Sequence, residues 1–135
     1  MKPISVLLVD DNPAFLRIAT RFLQKHDDTV VIGTADGGEE ALALAQDLQP
    51  DIVLIDLAMP GLSGLEAIPR LRAVLPAAGI IALTVLNTNS YLQASLEAGA
   101  NDFVAKAILN TDLLPAIRRV AQGDLPQQRA ADESV

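Results

Sequence analysis

The sequence predicts an α/β fold in which five parallel strands form one doubly wound sheet with helices on both faces. Short apolar runs alternate along the chain with segments whose apolar residues recur at helical spacing. The clearest run, 52–55, contains no polar residue, which is typical of a strand buried on both faces of a parallel sheet. This run ends on Asp56 and is followed by a Pro60-Gly61 turn.

Length and composition limit the class of protein. The 135 residues fit one domain, which we expect at residues 1–122, with a polar flexible tail or truncated linker at 123–135. Half of the residues are hydrophobic but only 3% are aromatic, so the core should be aliphatic. The net charge of −7 argues against direct binding of this segment to nucleic acid or to an anionic membrane. The absence of cysteine fits a reducing compartment. Asp10-Asp11 ends the first apolar run too early for a signal peptide, so we expect a cytoplasmic protein.

The first half of the chain contains predicted strands at 4–9, 29–33 and 52–56. Asn12 is a natural N-cap for the first helix, with Pro13 at the first helical position. The apolar residues expected on the inner face of this helix are Phe15, Ile18, Ala19 and Phe22.

Capping patterns predict the next two helices. Asp36 and Glu39 have the spacing of a capping box and open the second helix, which Pro50 ends. Ser63 and Glu66 form the standard S-x-x-E box and predict a third helix.

The second half contains predicted strands at 80–83 and 101–105. A polar loop at 87–90 leads to a helix that ends at Gly99, a favourable residue just past a helix end. A last helix is predicted at 110–122.

The residues that follow each strand predict the strand order. Strand two ends on Gly33 without a charged group, whereas the other four strands are followed by polar or charged residues, namely Asp10-Asp11, Asp56, Thr84 and Lys106. Functional strand ends should be neighbours, so strand two should lie at an edge. This selects the flavodoxin-like order 2-1-3-4-5, with the switch point between strands one and three.

The residue types at this edge of the sheet indicate phosphoryl and metal chemistry. Carboxylates a few ångströms apart repel one another by about 4 kcal/mol per close pair at an effective dielectric near 20. Raised pKa values or a bound cation would relieve this repulsion, and Mg²⁺ accepts such a set of oxygen ligands. An Asp carboxylate can also attack phosphorus, in which case Lys106 and Thr84 would stabilise the phosphoryl oxygens.

Four motifs then resemble the receiver domains of two-component response regulators over residues 4 to about 122. They are LVDDN at 8–12, DLAMPG at 56–61, ALT at 82–84 and GANDFVAK at 99–106. Their order and spacing are highly specific.

The resemblance implies that Asp56 is the phosphoacceptor and that Lys106 and Thr84 complete the catalytic set. It implies Mg²⁺ as the cofactor, held by Asp10, Asp11, Asp56 and the backbone carbonyl of Ala58. Thr84 and Phe103 would be a switch pair that changes the surface of helix four, strand five and helix five. Expected partners are a histidine kinase or a phosphotransfer protein and, on phosphorylation, a second copy of the chain. Such a domain catalyses its own phosphorylation and dephosphorylation and turns over no separate substrate.

Two positions depart from many receivers. Lys106 is followed by Ala107 instead of proline, and a cis bond to alanine would cost about 2.5–4 kcal/mol, so we expect a trans bond. Val85 stands where many receivers have a smaller residue, and we expect it to narrow access to the phosphate. Both features resemble receivers of the nitrate-regulator or LuxR type, which normally precede a DNA-binding helix-turn-helix and regulate transcription.

Other interpretations of these residues differ in testable ways. A haloacid-dehalogenase-type phosphatase would carry a D-x-D motif at the strand end, but position 58 is alanine. A flavodoxin would have a Thr/Ser/Gly-rich phosphate loop after strand one, where this chain has DNPA at 11–14. An unphosphorylated receiver-fold interaction module stays open, although it would be expected to have lost an acidic or lysine position. Arg17, Arg21 and Lys25 share one face of the first helix, which is either a solvated face or a docking surface for an acidic partner.

Overall fold

The computed structural model describes residues 2–85 and 89–123. Strands and α-helices alternate through these residues, and a 3₁₀ turn (Lys106–Ile108) joins the last strand to the last helix. The strands are β1 (Ile4–Val9), β2 (Thr29–Ala35), β3 (Ile52–Asp56), β4 (Gly79–Thr84) and β5 (Asp102–Ala105). The helices are α1 (Pro13–Gln24), α2 (Gly38–Leu48), α3 (Gly64–Val74), α4 (Asn89–Ala98) and α5 (Leu109–Ala121).

The sheet has the expected topology. Its strand order is β2-β1-β3-β4-β5, and each pair of neighbours is parallel. The pairing of β1 with β2 shifts by one residue between Val6 and Leu7, because Val6 pairs with Val31 whereas Leu7 pairs with Gly33. This leaves Ile32 as the extra residue of a bulge in the edge strand.

The core lies in two layers, one on each face of the sheet. Helices α1 and α5 cover one face, where Leu23 and Leu113 are fully buried against β1, β3 and β4. Helices α2, α3 and α4 cover the other face, where Ile68 and Leu71 are the largest buried helical side chains. Strands β3 and β4 are buried along their whole length, as their unbroken apolar runs predict.

Two predicted helix starts form as expected. The Asn12 side chain accepts hydrogen bonds from the backbone N–H groups of Ala14 and Phe15, and Pro13 opens α1. Ser63 and Glu66 form both halves of a capping box at α3. These caps matter because α1 and α3 are the helices that follow β1 and β3, the strands whose ends carry Asp10 and Asp56.

Three local predictions are wrong. Strand β2 runs to Ala35 instead of ending on Gly33, so a charged residue, Asp36, follows this strand as well. Helix α2 is capped by Gly37 and not by Asp36, whose own backbone N–H instead donates to Glu40 Oε1 at 3.2 Å. Ile18 is not on the inner face of α1, since 64% of it is exposed, and Leu23 fills the core there instead. The other three residues predicted for this face, Phe15, Ala19 and Phe22, do pack on the core, so Ile18 is the one exception.

The predicted loop at 87–90 enters α4 at Asn89, and its first two residues lie outside the described ones. The predicted tail at 123–135 lies outside them too, except for Gly123. Among the described helices, none combines the length and the apolar character that a membrane span requires.

Candidate functional site

The carboxyl ends of β1, β3, β4 and β5 meet at one edge of the sheet, as expected. Val9 pairs with Ile55, so Asp10 and Asp56 follow in neighbouring strands. The ladder continues past Asp56 as the Leu57 N–H donates to the Leu83 carbonyl at 3.0 Å, which places Thr84 beside the acidic residues.

Three carboxylates converge at this edge. Asp10, Asp11 and Asp56 each offer a carboxylate oxygen, and these oxygens lie within 4.8 Å of one another. Asp10 and Asp56 are buried, whereas Asp11 is exposed at the rim. Clustered carboxylates are unfavourable without a compensating positive charge.

Lys106 supplies one such charge within the described residues. Its Nζ lies 2.5 Å from Asp10 Oδ2 and 3.5 Å from Asp56 Oδ2. The Lys106 side chain is 15% exposed, so these ion pairs are largely withdrawn from water. Three carboxylates and one ammonium leave a local charge of −2, which favours a divalent cation. The Lys106–Ala107 peptide bond is trans, as predicted.

Backbone amides orient both buried carboxylates in the same way. The Asn12 N–H donates to Asp10 Oδ1 at 2.9 Å, and the Ala58 N–H donates to Asp56 Oδ1 at 3.3 Å. The second oxygen of each carboxylate, Oδ2, is the one that faces Lys106. The loops after β1 and β3 therefore fix the direction of the two carboxylates through their own backbone.

The pKa of Asp56 is raised above its ordinary value. Burial is the main cause, because it penalises the charged carboxylate, and the Lys106 charge opposes the rise. The Asp10 carboxylate adds to it by like-charge repulsion. A cation beside Asp56 would act against burial and favour the ionised form.

The donor atoms fit Mg²⁺. This ion prefers oxygen ligands, takes one or two carboxylates and keeps waters, and the exposed position of Asp11 leaves one side of the cluster open. Asp10, Asp11 and Asp56 would hold it, with the Ala58 carbonyl as the further ligand expected from the sequence.

Gly64 allows α3 to begin directly against the end of β3. A Cβ atom at position 64 would lie 1.9 Å from the Asp56 carbonyl oxygen, much closer than any real Cβ contact. The Gly64 N–H donates to the Leu57 carbonyl at 3.1 Å, so the loop folds back on the strand end. Only glycine permits this approach.

Comparison with known proteins identifies this arrangement. The model of the response regulator receiver domain matches residues 6–118, which is most of the chain. The chain belongs to the response regulator receiver domain family. It is 33% identical over 124 residues to the nitrate/nitrite response regulator protein NarL of Escherichia coli K12. That match covers 92% of this chain, whereas the chain spans only 57% of the length of NarL.

Two solved structures show the same likeness. A two-component response regulator of the LuxR family from Aurantimonas sp. SI85-9A1 superposes with a TM-score of 0.87 at 30% identity, covering 98% of this chain and 99% of that one. A CheX–CheY–BeF3–Mg complex from Borrelia burgdorferi gives 0.82 at 26% identity, covering 88% and 90%. The flavodoxin and phosphatase interpretations are therefore set aside.

The remaining predicted site residues lie on β4 and β5 or directly after β4. Thr84 is buried and pairs with Ala105, the residue before Lys106. Val85, the next residue, is 73% exposed. Phe103 is half-buried on β5 and packs against the core on the α2–α3–α4 side.

One residue that contacts the site was not predicted to do so. Phe15 was expected only as a core residue of α1, but Lys106 Nζ lies 4.2 Å from the centroid of its ring. Its spacing, four residues after Asp11, is the only sequence signal, because it puts Phe15 on the first turn of the helix that starts at the site.

Proposed function

We propose that this receiver domain accepts a phosphoryl group on Asp56. The observation that carries the proposal is the position of Lys106, whose ammonium lies between the Asp10 and Asp56 carboxylates at the carboxyl edge of the sheet. An ammonium there can neutralise an incoming phosphoryl group beside its acceptor. The unphosphorylated interaction module has no need for a buried acceptor and a cation aligned in this way.

The reaction is a nucleophilic displacement at phosphorus. A carboxylate oxygen of Asp56 forms the new bond to phosphorus, and the bond from phosphorus to the donor's leaving group breaks, with its electron pair going to that group. Lys106 stabilises the negative charge on the phosphoryl oxygens, and the Thr84 hydroxyl donates to one of them. Bound Mg²⁺ would supply further charge neutralisation between the carboxylates and the phosphoryl oxygens.

Phosphorylation of Asp56 should require Mg²⁺, for two reasons. The first is the set of three carboxylate oxygens within 4.8 Å of one another. The second is that a CheX–CheY complex from Borrelia burgdorferi, which this chain resembles, was solved with BeF3 and Mg.

Phosphate uptake from acetyl phosphate tests the proposal. The intact mass of the native protein should rise by one phosphoryl group in the presence of Mg²⁺ and should not rise in excess EDTA. Asp56→Asn should not be modified under either condition. Asp11→Glu keeps the charge of the cluster while lengthening one ligand, and it should need more Mg²⁺ for the same uptake. If the native protein stays unmodified at saturating donor and Mg²⁺, the interaction-module interpretation replaces this one.

We also infer a partner and an output for the switch. A histidine kinase or phosphotransfer protein would supply the phosphoryl group and dock at α1, where Arg17 and Arg21 are exposed. Phosphorylation would draw Thr84 towards the phosphoryl group and change the surface formed by α4, β5 and α5 around Phe103. That surface would then bind a partner, including a second copy of the chain. Regulation of transcription is proposed by analogy with a putative transcriptional regulator of Pseudomonas aeruginosa PAO1, to which the chain is 38% identical over 118 residues.

A further inference from the structure

Lys106 has three neighbours in the described part of the chain, and one of them is not an anion. The Asp10 and Asp56 carboxylates lie 2.5 Å and 3.5 Å from its ammonium. The ring of Phe15 lies on another side, 4.2 Å from Nζ to the ring centroid. This is within the distance at which an aromatic face attracts a cation, and the attraction is stronger where water is excluded.

Phe15 is held in place by the same short segment that orients Asp10. Its backbone N–H donates to Asn12 Oδ1 at 3.3 Å, while the Asn12 N–H donates to Asp10 Oδ1 at 2.9 Å. The ring is half-buried and packs on the core of the α1–α5 face. Asp10 and Phe15 are thus joined through Asn12 in one hydrogen-bonded turn, and both contact Lys106.

The contact with the Phe15 ring should contribute most to the position of Lys106 when Asp10 also binds a divalent cation. In the proposed reaction Asp10 would hold the divalent cation, which would weaken the shortest ion pair of Lys106 when the ammonium must face the phosphoryl group. A lysine side chain has four flexible carbons and many rotamers. The ring face does not depend on the state of Asp10, and it leaves the three N–H donors of the ammonium free to reach oxygen atoms.

We propose that Phe15 is a positioning residue that holds the Lys106 ammonium beside Asp56 through the face of its ring. The catalytic role of this contact rests on the proposed function, but the contact between Phe15 and Lys106 can be tested without phosphate. Phe15→Leu keeps an apolar side chain and removes the aromatic face, whereas Phe15→Tyr keeps the face. Phe22→Leu is the matched control, because Phe22 lies on the same helix and packs against the same core.

The first measurement is a double-mutant cycle in unfolding, without Mg²⁺ or phosphate. Phe15→Leu and Lys106→Met should couple, so that their combined effect on the unfolding equilibrium constant differs from the product of the single effects by about 3- to 30-fold. The cycle of Phe22→Leu with Lys106→Met should show no coupling. Additive behaviour of Phe15 and Lys106 would overturn the proposal.

The second measurement is the rate of phosphate uptake from acetyl phosphate with Mg²⁺. Phe15→Leu should slow uptake by about 3- to 30-fold, Phe15→Tyr should restore it, and Phe22→Leu should leave it unchanged. In a Lys106→Met background Phe15→Leu should have no further effect. Slow uptake in both Phe15→Leu and Phe15→Tyr would make the ring a packing residue only. If the native protein takes up no phosphate, the proposed function fails, and the unfolding cycle still decides whether Phe15 holds Lys106.

Discussion

Arg72 Nη2 donates to Asn101 Oδ1 at 2.5 Å, and this bond joins α3 to the start of β5 at the edge of the sheet opposite Asp56. The same guanidinium donates to the Gly99 carbonyl at 2.9 Å and to the Ala78 carbonyl at 2.5 Å. Asn101 Oδ1 also accepts from the Ile80 N–H, so one arginine connects the loops that precede β4 and β5. Its partners are neutral oxygens, and burial lowers the pKa of Arg72 from its ordinary value.

Replacement of Arg72 should destabilise the whole domain. Arg72→Leu leaves several half-buried carbonyls without a donor, and we expect the free energy of unfolding to fall by about 1.5–3 kcal/mol. Arg70→Leu is the matched control on the exposed side of the same helix and should change it by less than about 0.5 kcal/mol. Urea unfolding of the two variants makes the comparison. Equal losses would mean that the carbonyl contacts of Arg72 contribute nothing specific.

The raised pKa of Asp56 predicts how stability depends on pH without Mg²⁺. Between the pKa of the unfolded chain and the higher pKa of the folded one, the folded protein binds more protons, so its stability falls as pH rises through that window. Asp56→Asn should therefore be more stable than the native protein near pH 7, and its advantage should shrink towards about pH 4. Urea unfolding in EDTA at several pH values measures the difference, with Asp47→Asn on α2 as a surface control. An advantage of constant size would refute the prediction.

Gly64 should tolerate no side chain. Gly64→Ala forces a Cβ against the Asp56 carbonyl, and we expect a loss of about 1–3 kcal/mol in unfolding free energy together with slower phosphate uptake. Gly37→Ser is the control, because a Cβ at position 37 meets nothing within 4 Å and serine is a good helix cap. Chemical denaturation and intact-mass kinetics report the two effects. Native-like uptake by Gly64→Ala would show that the backbone at Asp56 can relax without harm.

The basic face of α1 should matter for the kinase and not for a small donor. Arg21 is exposed, so Arg21→Glu should slow phosphotransfer from a histidine kinase while leaving uptake from acetyl phosphate unchanged. Arg70→Glu, which makes the same change of charge on α3, controls for the general effect of charge. Phosphotransfer rates measured at two salt concentrations separate steering from contact. Equal slowing with both donors would make the basic face a solvated surface only.

Thr84 should carry the signal from Asp56 to α4 and β5. A charge-assisted hydrogen bond to a phosphoryl oxygen contributes about 1.5–3 kcal/mol, enough to shift a two-state equilibrium by about 10- to 150-fold. With beryllofluoride as the phosphoryl mimic, amide spectra of Thr84→Ala should lose the changes in α4 and β5, and Thr84→Ser should keep them. Changes of the same size in Thr84→Ala and the native protein would show that another residue is the relay.

Much of the fold was predictable because polar residues follow the strands that meet at one edge. That pattern predicted the strand order and the meeting of Asp10, Asp56, Thr84 and Lys106 at one edge of the sheet. Side-chain direction was less predictable: Ile18 has the right spacing for the inner face of α1, but it is exposed, and Leu23 fills the core there. The contact of Phe15 with Lys106 also joins two segments distant in sequence, so the spacing of Phe15 from Asp11 does not identify Lys106 as its partner.

The strand order has a consequence for the way the chain can fold during synthesis. Strand β2 joins one side of β1, β3 joins its other side, and β4 and β5 then extend the sheet in turn. Each strand that leaves the ribosome thus meets an open edge, and no finished pair has to separate to admit a later one. The part of the sheet that carries Asp10 and Asp56 can therefore assemble before the end of the domain is synthesised. Lys106 follows the last strand, so its ion pairs with these two carboxylates form late.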